Sequence, residues 1–302
     1  MKSESIEEVI NLFRSYYEFS PEIEITLEAN PETLTPQGLD AIRASGVNRL
    51  SIGIQSFQSP HLRRLERLST AEAIEKIIPE VQCRFENFSL DLMMGIPDQT
   101  AESFETDLQR ILEIEPPHVS IYILTLKENH VWKTHRSMAH RLGTSEFVER
   151  IYLRLCQALA EKSYQHYEVS NFAKLGFQSR HNSNYWNVDS SYLGLGPGAH
   201  GYLKQNSGEK FRYENISDIK GWSEHSEGVD EFAVEKLTPA QSQMEELYLF
   251  LRTRRPIAID RLDPRSIDAL LKEQKVEVTA NTLTLSEPGW LLLESIAERL
   301  IP

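Results

Sequence analysis

Arg49-Leu50-Ser51-Ile52-Gly53-Ile54-Gln55 decides the fold. Leu50, Ile52 and Ile54 alternate with Ser51, Gly53 and Gln55, the two-residue period of a strand with one apolar face and one small or polar face. The same division recurs on both sides of this stretch. Upstream, Ile23, Ile25 and Leu27 alternate with Glu24, Thr26 and Glu28. Downstream, Phe88, Leu90 and Leu92 alternate with Ser89, Asp91 and Met93. Helical stretches separate these strands. Thr35-Pro36 opens one that stops at Gly46, two more cover 60–67 and 70–80, and Thr100 caps another through 114, ahead of a strand from Val119 to Thr125. Strand alternating with helix indicates an α/β fold built from parallel βα units. A sheet covered on both faces would be apolar on both. The pattern therefore predicts a curved sheet or partial parallel (β/α) barrel around a polar cavity. Glu28, Gln55 and Asp91 fall near strand C-termini, where barrel active sites form. Carboxylates in such a cavity need a cation or a hydrogen-bond donor, and Arg67 is the nearest candidate in sequence.

Outward from this core, a helix is predicted over 5–17 behind the capping box Ser5-Ile6-Glu7-Glu8, and a longer one over 145–163. Residues 166–172 and 192–202 read as short strands flanking a loop at 181–186. Thr238-Pro239 caps a helix through about 252. A short helix near 265–272, strands at 276–279 and 282–285 and a helix from Pro288 to Leu300 follow, a winged-helix-like α+β order. These signals divide the chain into a barrel with its hairpin (1–202), a polar linker (203–237) and the winged-helix-like module (238–302).

The stretch 181–201 concentrates unusual chemistry. His181-Asn182-Ser183-Asn184-Tyr185-Trp186 and Gly194-Leu195-Gly196-Pro197-Gly198-Ala199-His200-Gly201 bring imidazoles, aromatic rings and glycines together. A neutral imidazole can take an axial iron position, and flat rings suit a planar ligand. His181 is the first candidate ligand and His200 the second; the alternative is a polar surface loop. Gly196 to Gly201 matches the G-x-G-x-x-G pattern, but no amphipathic helix follows, so a dinucleotide site is excluded.

The chain has 302 residues and a net charge of −13, which argues against general nucleic-acid binding. In the C-terminal module acidic residues also outnumber basic ones. No apolar run approaches a membrane span and no signal-peptide core follows Met1, so a cytoplasmic location is expected. There are two cysteines, Cys83 and Cys156, neither with a partner at metal-ligand spacing.

Several motifs together resemble one family. Thr26-Leu27-Glu28-Ala29-Asn30-Pro31, Asn48 to Phe57, Asp91-Leu92-Met93-Met94-Gly95-Ile96-Pro97, Tyr167 to Ala173 and Gly194 to His200 are similar to the HemW heme chaperones. These are radical S-adenosylmethionine (SAM) proteins related to oxygen-independent coproporphyrinogen III oxidase. His181-Asn182-Ser183-Asn184-Tyr185-Trp186 resembles the family's HNxxYW motif, which is tied to heme binding. The resemblance implies heme at His181, Asn182, Tyr185, Trp186 and His200, and a SAM pocket lined by Glu28, Gln55, Arg67 and Asp91. Carboxylates would meet the ribose or amino group of SAM and a guanidinium its carboxylate. Three departures stand out. Ser69 occupies the usual position of a histidine, and Lys127-Glu128-Asn129-His130 differs from the usual turn. The CxxxCxxC loop that holds a [4Fe–4S] cluster, with the first βα unit and second strand of the family barrel, has no counterpart. The resemblance thus predicts an N-terminally truncated barrel with an exposed edge at 23–28. Its main implication is a heme chaperone that delivers heme to an acceptor protein. The alternatives are a radical SAM enzyme of porphyrin biosynthesis and a relic or wrongly started reading frame.

Overall fold

The computed structural model describes residues 3–125, 143–224 and 233–301. Contacts divide the chain into two units, Met1–Gln178 and Ser179–Pro302.

In the first unit, helix α1 (Ser3–Tyr16) precedes strand β1 (Thr26–Ala29). Then come α2 (Pro36–Ala44), β2 (Arg49–Gln55), α3 (Ser59–Arg64), α4 (Ala71–Gln82), β3 (Phe88–Met94), α5 (Ala101–Ile114), β4 (His118–Ile123), α6 (Ser145–Glu161), β5 (Gln165–Glu168) and β6 (Asn171–Ala173). They build one six-stranded sheet in the order β1-β2-β3-β4-β6-β5. The first four strands are parallel, and the β5–β6 hairpin adds antiparallel to β4. The predicted α/β architecture holds, with the strand expected at 23–28 standing at one edge of the sheet as β1. Ser5, read as a helix cap, instead lies inside α1. Thr35 and Thr100 do cap α2 and α5, and Thr70 caps α4, each accepting a backbone N–H on its side-chain oxygen.

The alternation along β2 separates the two faces. Leu50, Ile52 and Ile54 are completely buried together with Leu90, Leu39, Ile74 and Leu108, which forms the core between sheet and helices. In-register pairing sets Ser51 beside Ser89 and Asp91 beside Ser120 on the opposite, polar face. A register shift between Ile52 and Gln55 ends β2, and Gln55 takes a left-handed φ of 62°. Such a bulge re-aims the last side chain of a strand.

The second unit contains α7 (Arg180–Tyr185), β7 (His200–Lys204), β8 (Lys210–Glu214), α8 (Ile219–Glu224), β9 (Ala233–Lys236), α9 (Pro239–Leu251), β10 (Ile257–Ala258), α10 (Pro264–Lys272), β11 (Val276–Thr279), β12 (Thr282–Leu285), α11 (Glu287–Trp290) and α12 (Leu293–Leu300). Residues 181–185 are helical rather than looped, because Ser179 caps them by accepting the Asn182 N–H at 3.1 Å. The polar stretch after 203, which shows no clear periodicity, carries β8 and α8. Strands β7, β8 and β9 form an antiparallel sheet. The C-terminal helices pack beside a second small sheet, β10-β12-β11, the order read from the sequence with β10 added. The helix expected from Pro288 to Leu300 is broken into α11 and α12.

Candidate functional site

The polar face of the first unit is a hydrogen-bonded network. Asp91 accepts from Ser51 Oγ at 2.9 Å and from Ser89 Oγ at 2.8 Å. Ser89 Oγ also lies 2.8 Å from His118 Nδ1, and His118 Nε2 lies 2.7 Å from Tyr167 Oη. A hydroxyl has one hydrogen. If Ser89 donates to Asp91, its oxygen accepts from His118 Nδ1–H, and His118 Nε2 accepts from Tyr167. The chain assigned in this way runs Tyr167 to His118 to Ser89 to Asp91. Burial raises the Asp91 pKa, while the Ser89, Ser120 and Ser51 hydroxyls and the Arg49 charge favour its ionised form. Burial, and then Arg49, hold His118 well below its ordinary value, so the imidazole is neutral. The cation that acts on Asp91 is therefore Arg49, in phase with Ser51 on β2, rather than Arg67.

The neutral state of His118 has a consequence for acid stability. Its folded pKa is depressed from 6.5, so the stability it contributes is present above pH 6.5 and lost as pH falls towards the folded value. Each pH unit in that window is expected to cost up to about 1.4 kcal/mol. Urea unfolding at pH 7.5 and 5.5 should show this slope in the wild type. In His118→Gln the slope should be smaller, with His61, also depressed chiefly by burial, still contributing in the same sense.

Gln55 and Arg67 meet elsewhere, around Gly53. A Cβ added at Gly53 would lie 2.8 Å from Gln55 Nε2 and 3.6 Å from both Arg67 and Asn30 Oδ1, so a larger residue there would push the Gln55 amide aside. Arg67 donates to the Gly53 carbonyl at 3.2 Å and to Asn30 Oδ1. Glu28 is exposed on β1. Burial first, and then Asp91, Glu168 and Glu28, raise the Tyr122 phenol to about 12. Three carboxylates thus bear on one position of the polar face. Ser69 donates to Glu32, and the turn at Lys127-Glu128-Asn129-His130 lies outside the described residues. Cys83 is exposed at the end of α4, and Cys156 is buried within α6. These two thiols do not fit an iron–sulfur cluster, which needs converging thiolates.

In the second unit His181 and Tyr185 lie four residues apart on α7 and therefore share a face. Their rings meet edge to face at 4.8 Å. Tyr185 also meets Tyr192 at 4.6 Å, and Tyr192 stacks on Tyr202 at 6.0 Å. The Arg252 guanidinium lies 4.2 Å over the Trp186 ring. His181 is exposed at the rim of this aromatic row. Asn182 takes part through its backbone N–H in the α7 cap. His200 begins β7, 3.9 Å from Glu214, and its side chain is 68% exposed. The two imidazoles therefore sit on different elements with different neighbours. At Gly194 and Gly201 the chain itself takes the space that a ligand was expected to use. A Cβ there would lie 2.2 Å from the His200 carbonyl and 2.1 Å from the Tyr213 ring.

A cavity of about 280 Å³ opens beside this row, lined by Tyr185, Trp186, Tyr192, Tyr202, Glu245 and Leu249 among others. Sequence reasoning missed Tyr192, Tyr202 and Glu245 as site residues. It also missed Ser51, Ser89, Ser120 and His118, although strand alternation alone puts these four on the polar face.

Residues 2–111 match the model of the Radical SAM superfamily. A heme chaperone HemW of Lactococcus lactis is 30% identical over 269 residues, covering 87% of this chain and 69% of that protein. The heme chaperone HemW of Haemophilus influenzae is 37% identical over 221 residues, covering 73% and 57% respectively. The chain thus spans between 57 and 69% of the length of these two relatives. The coproporphyrinogen III oxidase HemN of Escherichia coli, described as a radical SAM enzyme, superposes with a TM-score of 0.81 over 99% of this chain and 74% of that one. At 20% identity, that likeness speaks for the fold alone. On the match to the Lactococcus protein, together with the superfamily match and the shared fold, this chain belongs to the HemW family of radical SAM proteins.

Proposed function

We propose that the chain is a heme-binding chaperone of the HemW type, which holds heme and passes it to an acceptor protein. The observation that carries this reading is His181, exposed at the rim of the aromatic row Tyr185, Tyr192 and Tyr202. An imidazole in that setting offers a ring nitrogen to iron, while the rings beside it offer flat apolar surface to a porphyrin. Tyr185 and Trp186 stand beside His181, on α7 and at its end, whereas His200 lies on β7 beside Glu214. Family membership supports the reading.

Asn30, Gln55 and Arg67 around Gly53 offer donors and acceptors suited to the amino-acid end of SAM, with Glu28 and Asp91 on the same polar face. The two thiols of this chain do not fit the cluster that radical SAM chemistry requires, so no radical step is derived; the porphyrin-oxidase reading is the weaker one because the relatives of 30% identity or more reported above are heme chaperones. Among the described residues no helix is long and apolar enough to cross a membrane, and a cytoplasmic chaperone fits that observation.

The test is a titration of hemin into the purified chain. A Soret band that saturates at one heme per chain is the expected result. A linear rise without saturation, as for hemin on any apolar surface, would defeat the proposal.

A further inference from the structure

Three polar atoms in the cavity beside α7 are buried without a hydrogen-bond partner among the described residues: Trp186 Nε1, Tyr202 Oη and Glu245 Oε2. Tyr202 is only 6% exposed. Leaving one such group unsatisfied is costly, and three lining one cavity of about 280 Å³ mark a place built for a polar occupant. Their chemistry restricts that occupant. The indole N–H can only donate. The Tyr202 phenol, raised to about 12 by burial and by Glu245, stays a hydroxyl and can donate. Glu245 accepts, and its other oxygen already holds Arg212 at 2.9 Å. Two of the three orphaned groups can donate, which favours an occupant that accepts over a cation.

We propose that this cavity receives a propionic acid side chain of the bound porphyrin, an assignment that rests on the heme reading above. The carboxyl oxygens accept from Trp186 and Tyr202. Two carboxylates in one small site do not both ionise, so the propionate and Glu245 share a proton and satisfy Glu245 Oε2 as well. The placement follows from α7. Tyr185 meets His181 on one side and lines the cavity on the other, so a planar ligand held at His181 across Tyr185 brings its periphery to the cavity mouth. Carboxylates occur only on the periphery of heme.

The experiment compares hemin with its dimethyl ester, by Soret titration, on the wild-type chain and on Tyr202→Phe. The ester keeps the ring and the iron but cannot share a proton with Glu245. The wild type should bind hemin about tenfold more tightly than the ester. Tyr202→Phe should weaken hemin by about the same factor and leave the ester unchanged within about twofold. Trp186→Phe should repeat that pattern. Tyr202→Phe deletes an unpartnered hydroxyl, so the thermal stability of the heme-free variant should hold or rise, which separates the effect from misfolding. Equal affinities for hemin and ester, or equal losses for both in Tyr202→Phe, would overturn the assignment while leaving heme binding in place, and the cavity would then hold water only. Failure of every form to bind either compound would overturn both readings.

Discussion

Anaerobic reconstitution of this 302-residue chain with iron and sulfide is expected to give sub-stoichiometric iron and an EPR signal that SAM does not perturb. A [4Fe–4S] cluster of the radical SAM type is held by converging cysteine thiolates, with one iron left for SAM. Only Cys83 and Cys156 exist here. Cys83 is exposed where α4 ends, and Cys156 is buried in the middle of α6. Moving Cys156 to meet Cys83 would mean unfolding the helix whose Ile151, Leu155 and Leu159 belong to the core. SAM should bind weakly as well, through Gln55 and Arg67 without the iron that would chelate its amino and carboxylate groups. Four irons and four sulfides per chain, with a signal that shifts on adding SAM, would contradict this expectation.

The parallel sheet was legible because the apolar phase of β2 and β3 is unbroken, and a one-residue slip would have exposed Leu50, Ile52 and Ile54. The cavity-facing set was only partly legible. Asp91 could be assigned to the polar face from its phase. Its partners Ser51, Ser89 and Ser120 share that phase, yet small hydroxyls carry no signal of their own until the strands are set in register. Arg67 was nearest to the carboxylates in sequence, but the bulge at the end of β2 turns Gln55 towards it and leaves Asp91 to Arg49. In the second unit, the aromatic and imidazole residues of 181–186 were visible as chemistry but not as a helix. Six residues held by a serine cap are too short for a periodicity to show. Glu245 lies more than forty residues from Tyr202 in sequence, so no local pattern could join them to one cavity. The glycines near 200 were visible as well, but at Gly194 and Gly201 they serve the packing of this chain against itself.

The claim that heme is held at His181 is the one on which the rest depends. His181→Ala tests it most directly, followed by Soret titration beside the wild type and His200→Ala. The side chain is exposed on a short helix, so its removal should leave the fold intact. Changes that merely misorient a ligating histidine already cost about 10–100-fold in metal affinity. Removing the ligand itself should cost at least about 100-fold and shift the Soret band, while His200→Ala stays close to the wild type. An unchanged spectrum and affinity in His181→Ala would contradict the assignment. If the loss appeared in His200→Ala instead, the iron ligand would stand on β7.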